Sequence, residues 1–238
     1  MQGSAVAAPR RQGSGLPLLR VESGTLEAIK WLGLALMTAD HVNKYLLHDA
    51  IPALFASGRL AVPLFSFVLA YNLARPSCLS KGVYGRVGRR LAIAGVLASI
   101  PFIGLGGLVW EWWPLNVLFM LLVATGVMAL LERGGAPRLI VAGLLFVLGG
   151  AMVEFWWPAI AMTLAAWRYI RRPTWTSLTV WIAATAALYV INRNLWALAA
   201  LPLIFLAPQV SITMPRMRHV FYVFYPLHLL VLWIITRL

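Results

Sequence analysis

Polar residues fill the opening of the chain and then give way, from about residue 25, to a train of apolar runs. The runs occupy 25–47, 57–75, 87–106, 114–131, 138–152, 155–170, 176–191, 195–208 and 219–236. They lack the period-two alternation of a half-wet strand or a membrane barrel, and several approach the roughly 20 residues that carry a helix across hydrocarbon. The pattern therefore predicts an all-α polytopic integral membrane protein with about nine transmembrane helices, residues 25–238 forming one membrane domain. The fifth and eighth runs are short for spanning helices, which keeps eight spans or a re-entrant piece as alternatives. Residues 1–24, with Gly, Ser, Pro and Arg and no apolar signal core, predict a disordered basic cytoplasmic tail.

At 61% hydrophobic residues the chain is no ordinary soluble domain, and its net charge of +13 asks what the excess cations do. Loop charges answer. With the amino terminus in the cytoplasm, Arg75, Lys81, Arg86, Arg89, Arg90, Arg133, Arg138, Arg168, Arg171, Arg172, Arg216 and Arg218 fall on the inner side. Only Lys44, Arg59, Arg193 and Arg237 fall outside, which is the asymmetry of the positive-inside rule. Trp110, Trp112, Trp113, Trp156 and Trp157 mark the outer interface. Topology and membrane lipid thus account for the basic balance, and no nucleic-acid partner is needed. The lone Cys78 excludes an internal disulfide, and no Cys/His grouping has metal-ligand spacing, so no metal is expected.

The chemistry lies in polar residues inside the apolar runs, where ionisable groups are costly and usually functional. His41 follows Asp40 in the first run, with Lys30 eleven residues earlier. Eleven residues are close to three helical turns, so Lys30 and His41 share a face and stand roughly 16 Å apart along the axis. Asp40 diverges from His41 by about 100°; its partners are Lys44 at i+4 or Arg59 at the start of the second run. Those three residues also fit a structural ion-pair network joining the first two helices. Asn72, Asn116, Glu154, Tyr225 and His228 are further polar positions at membrane depth or near an interface, and interhelical hydrogen bonding competes with a site role for Asn72, Asn116 and Tyr225.

Several segments carry a resemblance. KWLGLALMTADHVNKYLL from Lys30 and GRLAVPLFSFVLAYNLARP up to Pro76 resemble the TraX family, pilin N-acetyltransferases of conjugative plasmids and their chromosomal relatives. LNVLF at Leu115–Phe119, VEFWWPAIAM around Glu154 and FYVFYPLHLLVL at Phe221–Leu232 extend the resemblance over most of the chain beyond residue 24. The family looks distantly related to membrane acyltransferases whose first helix carries a basic residue, ten intervening residues and a histidine. Lys30 and His41 have that spacing, with lysine where arginine is more usual.

The resemblance implies a bacterial inner-membrane, acetyl-CoA-dependent transferase. It would move an acetyl group from the cytoplasm to an acceptor at the outer face, a pilin amino terminus or another membrane or periplasmic group. His41 would be general base, with Asp40 and Arg59 beside it, or would carry an acetyl-histidine intermediate. Arg59, Asn72 or Asn116 would be an oxyanion donor. Lys30, Asn72 and the SKGVYGRVGRR segment, with Arg86, Arg89 and Arg90, would hold the cofactor, although that segment equally serves as a topology determinant. A transporter or flippase and a non-catalytic scaffold for pilus assembly are the competing readings.

Sidedness tests the charge count. In a Cys78→Ser background, a cysteine at position 49 or 111 should react with a membrane-impermeant thiol reagent in intact cells, and one at 81 or 171 only after lysis. Labelling of position 81 in intact cells would invert the topology.

Overall fold

The computed structural model describes residues 15–106, 108–217 and 219–238, and every regular element among them is helical. The elements are α1 (Ser23–Leu46), α2 (Pro52–Gly58), α3 (Ala61–Leu73), α4 (Val83–Leu105), α5 (Val117–Arg133) and α6 (Ala136–Met152). They continue with α7 (Trp156–Arg171), α8 (Trp175–Ala187), α9 (Tyr189–Asn192), α10 (Ala200–Leu206) and α11 (Val220–Ile235). Two 3-10 turns, Trp196–Ala199 and Ala207–Gln209, extend α10 at both ends.

Joined across their breaks, these helices follow the apolar runs of the sequence. The second run, 57–75, holds α3, whereas α2 lies almost wholly before it, and the seventh ends in the short α9. Among the described residues three stretches, Pro52–Leu73, Val83–Leu105 and Trp175–Asn192, are long and apolar enough to cross a membrane. The 24-residue α1 has the length but carries Glu27, Lys30, Asp40 and Lys44, so its polar groups must be met inside the protein.

Helix-to-helix packing closes a ring. α1 packs on α3, α3 on α7, α7 on α5, α5 on α4, α4 on α11, and α11 returns to α1. α6 lies against α5 and α7, and α8 against α7. Small residues allow the close approaches on which these contacts depend, as at Gly33, where the Phe65 ring lies against the α1 backbone.

Polar contacts sort the helix ends into two sets. At one end the Tyr71 hydroxyl donates to Val21 O (3.1 Å), the Tyr169 hydroxyl to Pro17 O (2.8 Å), and Arg171 pairs with Glu132 at 2.8 Å. At the other, Arg59 pairs with Asp40, Trp113 Nε1 donates to Ala151 O (2.9 Å), and Glu154 N donates to Leu115 O (2.8 Å). Arg171, expected inside, and Trp113, expected outside, thus fall on opposite sets.

Two expectations need correction. Of the tail 1–24, residues 1–14, including Arg10 and Arg11, lie outside the described residues, but 15–22 are not a loose tail. Leu19 and Val21 are buried, Val21 N donates to the Tyr71 hydroxyl at 2.9 Å, and α1 already starts at Ser23. The SKGVYGRVGRR segment is no loop beyond Gly82. Gly82, at φ 63°, sits in the left-handed region just before α4, and Arg86, Arg89 and Arg90 lie on the first turns of that helix.

The α1–α2 junction is close-packed: a Cβ built at Gly58 would collide with the Asp40 side chain. Gly58→Ala should therefore lower stability by about 1–3 kcal/mol, read as a lower melting temperature in detergent. Gly85→Ala, on an open stretch of α4 where a Cβ meets nothing, should not.

Candidate functional site

Lys30, Leu34, Met37 and His41 follow the 4-3-4 spacing of one helical face, and that face of α1 looks into the ring. Two cavities lie end to end along it. The larger, about 410 Å³, runs between α1, α3, α4, α5 and α11. Lys30, Arg75, Arg86, Arg90, Arg216 and Asn72 contribute its polar groups, and Phe221, Tyr222 and Phe224 contribute aromatic wall. The smaller, about 60 Å³, contains Asp40, His41, Arg59 and Glu154, with Gly58, Leu188 and Asn192 around them. Met37, Phe65, Val117 and Tyr225 line both.

The cationic mouth differs in detail from the sequence expectation. Arg86 and Arg90 are four residues apart and face the cavity together, whereas Arg89 is exposed and does not line it. Lys30 pairs with Glu27, which is 1% exposed, and its ammonium lies 4.4 Å from the Phe221 ring centroid. Glu27 also accepts the Met217 N–H at 3.1 Å, tying the chain before α11 to α1. Glu27, Arg75 and Arg216 were not among the expected site residues. Glu27 was legible as an i−3 partner of Lys30; Arg75 and Arg216 had been counted only as topology charges.

In the smaller chamber Arg59, and not Lys44, answers Asp40. The Arg59 Nη2 donates to Asp40 Oδ2, its Nε donates to Phe55 O (3.1 Å), and its Nη1 reaches Asn192 Oδ1 at 3.5 Å. Lys44 instead lies 5.0 Å from the Tyr45 ring centroid. Asp40 does not bond to His41. Glu154 enters from the α6–α7 connection, where Phe155 (φ 62°) and Trp156 (φ 47°) both hold left-handed conformations unfavourable for bulky residues. Burial pushes the Glu154 carboxyl up to about 7, against the opposing pull of Lys44, the Val117 backbone N–H and Arg59.

His41 has a partner on the far side of the sequence. Its Nδ1 lies 2.8 Å from His228 Nε2, 187 residues away, and His228 Nδ1 lies 3.1 Å from Phe224 O. A carbonyl oxygen only accepts, so His228 Nδ1 carries a proton and, with the ring uncharged, its Nε2 accepts. His41 must then donate from Nδ1, which leaves His41 Nε2 with a free lone pair, as a proton acceptor requires. The two rings are nearly parallel, at 3°.

The three expected oxyanion donors separate. Asn116 is fully buried and fully used: its Oδ1 caps α5 by accepting Leu118 N–H (3.1 Å), and its Nδ2 donates to Gly95 O (2.9 Å) and Ser99 Oγ (3.2 Å). Asn72 donates to Val68 O in its own helix (2.9 Å) and lines the larger cavity. Of the three, Arg59 alone shares the smaller chamber with His41. The Tyr225 side chain, 5% exposed, borders both cavities, and so does Val117 at the first turn of α5.

A family model described as TraX protein matches residues 25–236, nearly the whole chain and every residue of both cavities. The chain belongs to the TraX family. No curated protein and no solved structure matches it.

The hydrogen-bond chain makes a prediction independent of activity. In 15N-histidine-labelled protein, whose four histidines can be assigned by single substitution, His41 and His228 should both be Nδ1-protonated tautomers. His228→Gln should perturb the His41 signals, and an Nε2-protonated His41 would refute the relay.

Proposed function

We propose that this TraX-family protein is a multi-pass inner-membrane acetyltransferase that takes acetyl groups from cytoplasmic acetyl-CoA and delivers them to an amine at the opposite face, a pilin amino terminus being the favoured acceptor. The observation that carries the reading is the pair of cavities joined end to end, cationic at one end and holding an available histidine base at the other.

The larger cavity suits the donor by charge and shape. Arg86, Arg90, Arg75 and Arg216 gather at its mouth, where guanidinium groups suit phosphate oxygens. Beyond them the walls become apolar and aromatic, fitting the slender pantetheine arm while the nucleotide stays at the mouth. From Lys30 to Met37 the cavity follows α1 for about 10 Å, carrying the thioester toward His41.

At the far end, His41 Nε2 accepts the proton of the attacking amine as the amide C–N bond forms and the thioester C–S bond breaks. The same nitrogen then returns that proton to the departing thiolate. His228 fixes the His41 ring and tautomer. Arg59 and Tyr225 are the side chains placed to stabilise the transient oxyanion, and the buried surroundings strengthen any such interaction. Glu154 and the Asp40–Arg59 pair make this chamber polar without placing an unanswered cation beside the incoming amine.

End-to-end cavities would also serve a transporter, and acyl transfer separates the two readings. Acetyl-CoA should raise the melting temperature of purified protein in detergent, because binding the native state alone stabilises it. Arg86→Gln with Arg90→Gln should weaken that protection about tenfold or more in cofactor concentration, and added salt should weaken it further. His41→Gln should retain the protection but lose acetyl transfer by about 10²-fold or more. Protection without transfer in the unaltered protein would favour transport, and no protection would remove the acetyl-CoA reading.

A further inference from the structure

Met37, Phe65, Val117 and Tyr225 come from four different helices, α1, α3, α5 and α11, yet each lines both cavities. They therefore form the neck between them. Met37 is one turn before His41 on α1, and Tyr225 is three residues before His228 on α11. The neck thus stands about 4.5–6 Å along the helix axes from the histidine pair, next to the nitrogen that would take the proton of the attacking amine.

The chamber beyond it is small and firmly walled. At about 60 Å³ it has room for about four water-sized groups at roughly 15 Å³ each. An acetyl group, with its carbonyl carbon, oxygen and methyl, matches that scale. The walls are closely held. Gly58 is packed against Asp40, Arg59 is held by Asp40 and Phe55 O, Leu188 is 1% exposed, and the strained turn at Phe155 and Trp156 sets Glu154.

We propose that Met37, Phe65, Val117 and Tyr225 are an acyl-length filter that admits acetyl to His41 and rejects longer chains. The inference rests on the acyl-transfer reading above and adds to it what the chain selects. Bond changes are those of that reaction: C–S breaks, C–N forms, and the proton passes through His41 Nε2 to the thiolate. The acyl chain precedes the carbonyl through the neck, so a propionyl or butyryl group drives its extra methylenes into the chamber, whose walls these four residues also form, and holds the carbonyl carbon back from His41. One additional methylene at a close-fitting apolar site costs ~10-fold or more in kcat/KM.

The test compares acetyl-, propionyl- and butyryl-CoA in detergent-solubilised full-length protein, following release of the CoA thiol. Hydroxylamine serves as a small uncharged acceptor and a pilin amino-terminal peptide as a second one. In the unaltered protein, kcat/KM should fall ~10-fold or more from acetyl to propionyl and again to butyryl. Met37→Ala and Phe65→Ala, which widen the neck from two helices, should each raise the butyryl-to-acetyl ratio ~10-fold or more. Val117→Phe, which narrows it, should lose transfer from every donor while CoA still raises the melting temperature, showing that the variant is folded and the larger cavity intact.

Transfer from all three donors at similar kcat/KM would overturn the filter while leaving the acyltransferase standing. So would an unchanged ratio in both widened variants, or loss of acetyl transfer in both without gain of longer chains. Absence of transfer from acetyl-CoA to both acceptors in the unaltered protein would remove the acyltransferase reading and the filter with it.

Discussion

A charge placed among apolar helices has to be answered by another group inside the protein, and α1 is built around that requirement. It carries its ionisable residues at two levels, Glu27 with Lys30 near one end and Asp40 near the other. Each level recruits a different part of the chain. Glu27 satisfies both Lys30 and the Met217 N–H, bringing in the segment that leads to α11. Asp40 takes Arg59 from the α2–α3 junction, and Gly58 permits the approach. Replacing one partner of such a pair strands the other in a poorly solvating interior, which is why these contacts fix helix order more firmly than apolar packing alone.

The ring of helices around α1 then separates its polar groups by depth. The wide end is lined by Arg75, Arg86, Arg90 and Arg216, the shared lining by Met37, Phe65, Val117 and Tyr225, and the narrow end gathers His41, Glu154 and the Asp40–Arg59 pair around about 60 Å³. Asp40, Arg59 and Glu154 line that narrow end together, so their fixed positions weigh heavily on its electrostatics. The turn at Phe155 and Trp156 illustrates the cost: two bulky residues adopt left-handed backbone so that the acidic residue before them enters the chamber.

Much of this was legible in the sequence because it is local. Helical spacing placed Lys30 and His41 on one face, apolar runs anticipated the helical stretches, and the basic loops anticipated which helix ends lie together. The Asp40–Arg59 pairing was also within reach, since a short connection brings α2 back beside α1. What escaped depended on distant segments meeting. Nothing in the spacing of His41 and His228 reveals that their rings share a proton position, although each was suspect as a histidine in an apolar run. Arg216 reaches the cavity from an irregular segment held by Thr25 and Glu27: Thr25 Oγ1 donates to Val210 O at 2.7 Å, while Glu27 takes Met217 N–H. Asn116 looked available and is spent on capping α5 and bonding α4. Arg89 looked equivalent to Arg86 and Arg90 until the segment proved helical and turned it outward.

The His41–His228 contact also has a consequence for biogenesis. The two rings belong to α1 and α11, and 187 residues separate them. At ribosomal speeds of about 5–20 residues per second, roughly ten to forty seconds pass between synthesis of the first ring and the second. Throughout that interval His41 lacks the ring that fixes its tautomer in the folded chain. The histidine pair comes into being only when α11 arrives, so a chain that stops short of His228 lacks it even when most of its helices are already in place.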